Sequence, residues 1–569
     1  MKKKKEIRRG SAKVHEEDRH NMLAFYKVFI FLTGAVTLSL ELLASRIMVP
    51  YFGVSLYIWT GILSITLISL ALGYFLGGKL ATWSKMEESG KSNLDYLFLM
   101  MPAVSGISIG VACILYPKIF LPLAKTHLLI GSFAACWILL FFPLVTVSAM
   151  NPLLIAIQGA KRARSSKVGD AGSGQIYFIS TVGSVIGVWV TAFVFIPNIT
   201  NHRSTLFLGV MLSMLSTLGA FFFRLENRKR NRLLVLVIIG LVLCGSLLSF
   251  SPYYLGKKDG IIFKGRSWKL KKEYSSLFGN TKILSVKGPV KGGGPASPQE
   301  DMTRTIYIQD GFFQSTVDGQ GQSATAYTYV LEGLATTLNP NGRTALVLGM
   351  GAGIIPARLA KRGFRVDVVE INPNSITVAR EFFGLKKNTN MTVHQADARM
   401  FVKECARTYD MVFMDLFQGD GVPDYLLTRG FFRDLKRCIS PGGVVVMNTF
   451  SILGTIPYSV IKTLKSEFPG VLLFHESFGE ENKNINIYLA ALSRENNTVL
   501  DIKFEDVPSS MRESVSRVFS QTRTIEKELL EKAPLLSDEY NIFSYINARE
   551  YFEYRRLAID EIPAPFLVN

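Results

Sequence analysis

The chain has 569 residues, 48% of them hydrophobic, and carries 64 Lys and Arg against 45 Asp and Glu, a formal net charge of +19. That hydrophobic share is too high for a wholly soluble protein, so a membrane part is expected. The charge is not a nucleic-acid signal: residues 1–300 hold 35 basic against 13 acidic residues and residues 301–569 hold 29 against 32, so the excess lies in the apolar half, where it orients a protein in a bilayer.

Residues 1–22 are polar and basic, with no small-residue cleavage site after the first apolar run, and read as a disordered tail rather than a removed signal peptide. Seven apolar stretches long enough to cross a bilayer follow, near 23–49, 56–78, 94–116, 128–150, 174–197, 205–223 and 232–250. The fourth is interrupted by Pro143 and Pro152, which fits either one kinked helix or a shorter helix plus a re-entrant piece. Glu41 and Arg46 lie toward the end of the first stretch; the reading adopted is that Arg46 snorkels to the interface and Glu41 pairs with a neighbouring helix, a transport or access site being the sharper alternative. Gly73/Gly77 and Gly183/Gly187 are G-x-x-x-G pairs suited to close helix packing.

Lys and Arg number twenty in the tail and every second short loop against four (Arg46, Lys118, Lys125, Arg203) in the alternate loops, which sets the N-terminus in the cytoplasm. Seven crossings would then put everything after Phe250 outside, away from any cytosolic cofactor. The expectation is a cytoplasmic soluble domain, with the stretch 128–158 not crossing in the simple way.

Beyond the spans, residues 251–300 read as a Lys- and Gly-rich linker with some strand character, its Gly-rich part at 286–294 a flexible loop. Thr281–Val286 and Thr303–Gln309 alternate as paired strands leading to Asp310-Gly311, and Ala324–Leu338 is helical in pattern. Next comes an apolar run to Leu348, the turn Gly349-Met-Gly351-Ala-Gly353, a helical segment Ile354–Arg362, and a second apolar run, Val366–Val369, closed by Glu370. Strand, glycine turn, helix, strand and acid in that order make half of a nucleotide-binding α/β unit: the glycines admit a ligand to the backbone, the helix start offers free N–H groups, and the acid suits a ribose diol. Later units end at Asp397, at Asp415 and at Met447, and each acid follows a strand, the edge where ligands bind in an open parallel sheet. Residues 500–556 read as amphipathic helices packed on the sheet. Five cysteines (Cys113, Cys136, Cys244, Cys405, Cys438) show no C-x-x-C and support neither a zinc site nor a disulfide framework, and no metal-ligand cluster is present.

The set Gly349, Gly351, Gly353, Glu370, Asp397 and Asp415 resembles the site of S-adenosylmethionine-type Rossmann enzymes. With Ile308-Gln-Asp-Gly-Phe-Phe-Gln-Ser-Thr316, Tyr327 and Val369-Glu-Ile-Asn added, the sequence resembles the spermidine synthase family. Asp415-Leu-Phe-Gln-Gly-Asp-Gly-Val-Pro-Asp-Tyr-Leu-Leu-Thr428, together with Gly34–Gly53 and Gly172–Gly187, is similar to the subgroup fused to a multi-span membrane region. The implied fold is an N-terminal polytopic α-helical membrane domain of about seven spans, a small antiparallel β region, and an α/β Rossmann-like S-adenosylmethionine-type methyltransferase fold. The divisions expected are 1–22, 23–250, 251–320, 321–500 and a helical extension 501–569.

What the resemblance implies is aminopropyl transfer from decarboxylated S-adenosylmethionine to an amine acceptor. Asp415 and Tyr327 would be catalytic, and Gln314, Gly349, Gly351, Gly353, Glu370 and Asp397 would bind the co-substrate, with no metal. The bilayer and a small-molecule amine are the partners, nucleic acid is not, and a homo-oligomer is left open. The sequence departs from the family at Ala352, where an Asp is expected to hold the aminopropyl ammonium, in Asp415-Leu-Phe-Gln-Gly, where the family has Asp-Ser-Ser-Asp-Pro, and at Asn448-Thr449, where an acid is expected. Asp420 and Asp424 are compensating acids or, by preference, solvated loop acids. The alternatives are an S-adenosylmethionine-dependent methyltransferase and a transporter or sensor with a non-catalytic nucleoside-binding domain.

Overall fold

The computed structural model describes residues 2–54, 56–86, 90–162, 172–223, 225–254, 260–288, 302–386, 390–419, 421–451, 457–477, 485–493, 507–520 and 522–569. Backbone contacts divide the chain into two compact units, residues 1–49, 56–255 and 568–569 in one and residues 50–55 and 256–567 in the other.

Among the described residues the first unit holds seven helical stretches long and apolar enough to cross a membrane: Met22–Phe52, Tyr57–Ser84, Asn93–Ala124, Leu128–Gly159, Ser173–Asn198, Asn201–Phe222 and Asn227–Phe250. The first belongs to a helix that already begins at Lys2. The basic segment expected as a disordered tail is therefore helical: Lys, Glu and Arg are good helix formers, and the apolar turns that follow supply the nucleus from which a helix propagates. The fourth stretch is one 32-residue run that relaxes around its first proline, with a π-helical turn at Trp137–Phe141 before Pro143, and it stays helical in backbone through Ala149. Pro143 has no N–H for the carbonyl of Leu139 and its ring crowds that carbonyl, which the wider π turn accommodates. The G-x-x-x-G pairs pack as the sequence predicts. A Cβ on Gly183 or Gly187 would strike the backbone carbonyls of Phe31 and Ala35, and one on Gly73 or Gly77 would strike Ser148 and Ala149. Glu41 is half-buried, with Thr66 of the second stretch as a polar neighbour.

The second unit opens with an antiparallel sheet in sequential order, β1 (Ile261–Phe263), β2 (Arg266–Ser276), β3 (Gly279–Gly288), β4 (Met302–Gln309) and β5 (Phe312–Val317). β3 and β4 pair in the register Thr281↔Gln309 to Gly288↔Met302, and β4 turns into β5 through Asp310-Gly311, both at positive φ as a tight hairpin requires. Residues 260–288 are thus largely strand rather than linker, because β2 and β3 pair antiparallel from Ser267↔Lys287 to Ser276↔Gly279; of the loop expected at 286–294, residues 286–288 are the end of β3 and the rest lies outside the described residues.

The larger sheet adds β6 (Thr344–Leu348), β7 (Arg365–Glu370), β8 (Met391–Gln395), β9 (Tyr409–Met414), β10 (Ile439–Ser451), β11 (Gly470–Ser477), β12 (Ile485–Leu492) and β13 (Thr522–Arg523) in the order β13-β11-β12-β10-β9-β6-β7-β8. β6 to β10 are parallel, and β12 runs antiparallel between β10 and β11. Both faces are covered, by the cluster around Val347, Val368 and Phe413 and by that around Leu348, Val412 and Val445, which is why these strands are apolar throughout. The chain leaves β6 toward β7 on one side and returns as β9 on the other, so a crevice opens at their carboxyl ends. Cys405 and Cys438, expected unpaired, form a disulfide with Cα atoms 5.8 Å apart. The 33-residue separation conceals that both lie beside Val402, whose carbonyl accepts from the Cys405 N–H at 3.3 Å and lies 3.4 Å from the Cys438 Sγ.

Candidate active site

The glycine turn sits where β6 ends. Gly349 takes φ +84° and donates to the carbonyl of Val369 at 2.9 Å, and a Cβ there would strike the carbonyl of Asp415. Only glycine lets the loops after β6 and β9 meet. Gly351 (φ +50°) lines the cavity beside Ser315, and Gly353 (φ +74°) starts the helix Ile354–Lys361. Glu370 closes β7 and is 9% exposed. Its Oε2 accepts from the N–H of Met350 (3.0 Å) and its Oε1 from that of Asn372 (2.7 Å), so the carboxylate is tied to the turn it faces. Burial raises its pKa, against the lowering effect of those backbone donors.

Asp397 caps the helix Ala398–Lys403, accepting from Met400 N–H at 3.0 Å, and its other oxygen accepts from the Tyr425 hydroxyl at 2.8 Å. It is a helix cap that also lines the cavity. Asp415 follows β9. The amide of Asn448 donates to its Oδ1 at 3.1 Å, and Tyr327, from the helix Ala326–Leu338, lies close enough to influence it, its hydroxyl donating to the carbonyl of Gln314 at 3.4 Å. Burial pushes Asp415 up to about 6, with Asn448 and Tyr327 opposing. Burial, then the charge of Asp415, raises the Tyr327 phenol. Gln314 lines the same space and donates to the carbonyl of Gly419 at 3.0 Å.

These residues enclose one cavity of about 590 Å³. Of the predicted set, Gln314, Tyr327, Gly349, Gly351, Glu370, Asp397 and Asp415 line it; Gly353 does not, serving as the helix start behind it. Ala352 is 2% exposed in an apolar cluster with Ile283, Tyr307 and Val378 and does not line the cavity. Asp424 accepts from the Ser544 backbone and hydroxyl, a structural loop acid, and Asp420 lies outside the described residues.

The sequence reading missed Glu476. It stands at the carboxyl end of β11, 5% exposed, where Asn486 (3.0 Å) and the Tyr488 hydroxyl (2.9 Å) both donate to its Oε2. Burial raises its pKa, with Asn486 and Tyr488 opposing. Glu476 obeys the same acid-at-strand-end rule as the others, but β11 was not assigned as a strand. Four carboxylates thus line the cavity, Glu370, Asp397, Asp415 and Glu476, and no Lys, Arg or His is among the described lining residues. The arrangement suits a cationic guest.

The family model of the spermine/spermidine synthase domain matches residues 324–468. A polyamine aminopropyltransferase of Chromobacterium violaceum is 32% identical over 178 residues, 30% of this chain and 67% of that protein. The chain belongs to the spermidine synthase family. Another aminopropyltransferase of the family, from Vibrio vulnificus, is 28% identical over 225 residues, 38% of this chain and 74% of that protein. An N-terminal histidine N-methyltransferase of Emericella nidulans shares 32% over 146 residues, but this covers only 26% of that protein. The spermidine synthase match falls on the unit that carries the cavity, and the seven apolar stretches lie outside it.

Proposed function

We propose that this protein is a membrane-bound aminopropyltransferase that moves the aminopropyl group of decarboxylated S-adenosylmethionine to an amine. The observation that carries the reading is the cavity's charge: four carboxylates and no basic side chain among its described lining residues. Both reactants, a sulfonium with an aminopropyl ammonium and a polyamine-type acceptor, are cations. S-adenosylmethionine itself would bring a carboxylate into that field with no cationic side chain among the described lining residues to meet it, which disfavours methyl transfer.

The co-substrate supplies a carbon activated by the adjacent sulfonium. The protein must supply a neutral amine, whose solution pKa lies near 10.4, in line with that carbon. Asp415 accepts the amine's proton or a hydrogen bond from it while the N–C bond forms and the C–S bond breaks, leaving neutral methylthioadenosine. Its elevated pKa, about 6, makes it a better base than a solvated carboxylate while keeping it ionised at neutral pH. Asn448 holds it in place, with Tyr327 beside it. Glu370, whose two oxygens are oriented by Met350 and Asn372, keeps lone pairs for the ribose diol, and Asp397 is placed for the adenine amino group. Full-length protein in detergent, given each cofactor and a mixed amine pool, should release methylthioadenosine by mass spectrometry. Release of S-adenosylhomocysteine would make it a methyltransferase.

We place the soluble unit in the cytoplasm, with its co-substrate. This requires that one of the seven apolar stretches, Leu128–Gly159 with its π turn and two prolines, does not carry the chain across. Alkaline phosphatase fused after Asn569 should then be inactive. An active fusion would reverse the placement and would agree with the Cys405–Cys438 disulfide, a bond of oxidising compartments.

A further inference from the structure

Two acceptor atoms at the cavity's far end are left unused by the co-substrate. Glu476 receives both of its described hydrogen bonds on Oε2, so Oε1 has no described partner although the residue is 5% exposed and lines the cavity. Asn448, 9% exposed, donates to Asp415, yet its Oδ1 is buried without a hydrogen-bond partner. An unpaired buried acceptor is costly and uncommon, and the Asn448 Oδ1 in one cavity with a carboxylate oxygen that has no described partner, and no basic residue among the described lining residues, marks a place for a donor-rich cation. An ammonium, with three N–H donors and no acceptor, fits such a set.

The sheet fixes how these acceptors are spaced. Asp415 follows β9, Asn448 lies on β10, and Glu476 lies on β11, with Tyr488 of β12 between them. Three strand intervals at about 4.8 Å put roughly 14 Å between the β9 and β11 backbones, a gap that two carboxylate side chains and an extended diamine between them can cover. Within that gap Asn448 pairs in register with Tyr488, and the Tyr488 hydroxyl donates to Glu476.

We propose that Glu476 selects the acceptor: its free Oε1 takes the distal ammonium of an amine whose reacting nitrogen is held by Asp415 and the Asn448 Oδ1. This rests on the aminopropyl-transfer reading and deepens it, for it gives the acceptor an anionic partner in place of the acid missing at Asn448-Thr449. Glu476 is then a substrate-binding residue rather than a catalytic one, acting on KM more than on kcat.

The test compares full-length wild type with Glu476→Gln in detergent, using 1,4-diaminobutane and butylamine as acceptors and methylthioadenosine release as readout. In wild type the diamine should be strongly preferred in kcat/KM. In Glu476→Gln the ratio of the two kcat/KM values should fall by about 30-fold or more, mostly through KM, the loss expected when one partner of a buried charge pair is removed. Methylthioadenosine binding by calorimetry checks that the variant is folded. If it is not, Glu476→Asp, which keeps the charge, should retain a diamine preference over butylamine. An unchanged ratio in Glu476→Gln, or no such preference in Glu476→Asp, overturns the assignment. If wild type transfers to no amine, the aminopropyl reading fails by itself; calorimetric binding of 1,4-diaminobutane in the presence of methylthioadenosine, weakened by Glu476→Gln, would still support Glu476, and equal binding would overturn it.

Discussion

At the glycine-turn end of the cavity, Glu370 and Asp397 are held by backbone N–H groups, those of Met350, Asn372 and Met400. At the far end, Asp415 and Glu476 are held by side chains from other strands, Asn448 being 33 residues from Asp415 and Tyr488 being 12 from Glu476. Backbone donors near the end of a strand orient an acid whatever the rest of the sheet does. Side-chain donors from neighbouring strands orient one only when the register is right. On the proposed reading the first end is a rigid, transferable nucleotide cradle, and the second is where a chain of this family could change its acceptor by changing one strand.

The largest effect expected is at the cradle. Glu370→Ala should lower co-substrate affinity by about 100-fold or more, because a diol held by one carboxylate loses two charge-assisted hydrogen bonds together. It also strands the N–H groups of Met350 and Asn372, so melting temperature is measured alongside calorimetry. Unchanged affinity in a folded variant would move the nucleotide site elsewhere.

Asp415→Asn sharpens the contrast, since it should separate binding from chemistry. The amide keeps the shape but takes no proton, so turnover should drop by roughly 100-fold or more while co-substrate affinity stays within a few-fold. Equal turnover would remove Asp415 from the mechanism. In wild type, kcat/KM for the amine should fall as pH drops through about 6, because Asp415 works ionised and burial has raised its pKa. That limb should vanish in Asp415→Asn. A limb near 4 instead would mean a solvated carboxylate.

The same contrast accounts for what was legible in the sequence. The glycine turn, Glu370, Asp397, Asp415 and the Asp310-Gly311 hairpin all announce themselves within a few residues, through turn chemistry or an acid closing an apolar run. The pairing of β3 with β4 followed from alternation alone. Glu476 was illegible because Val471–Phe474 is a short apolar run with no following glycine turn, and its value as a site depends on β11 lying two strands from β10. Asn448 was visible only as a missing acid; that its amide would steady Asp415 needed the register Met447↔Met414. The Cys405–Cys438 bond and the helical course of the basic segment were hidden likewise, one by tertiary proximity and the other by continuity with an apolar helix.

The smallest effect expected concerns Tyr425, which joins the cradle to a side chain. Its hydroxyl donates to Asp397 Oδ2 at 2.8 Å from a ring that is 43% exposed, while Met400 N–H holds the other oxygen. If Asp397 meets the adenine amino group, Tyr425 aims its free lone pairs, and losing one hydrogen bond of about 1 kcal/mol should weaken co-substrate binding only about fivefold in Tyr425→Phe. The helix cap survives through Met400, so melting temperature should hardly move. Asp397→Ala should do more, costing about 1 kcal/mol of stability as a lost cap together with a larger loss of affinity. Calorimetry on the two variants separates the roles. A loss of stability in Asp397→Ala with unchanged affinity in both would leave Asp397 a helix cap alone, and the cradle would then rest on Glu370 and the glycine turn.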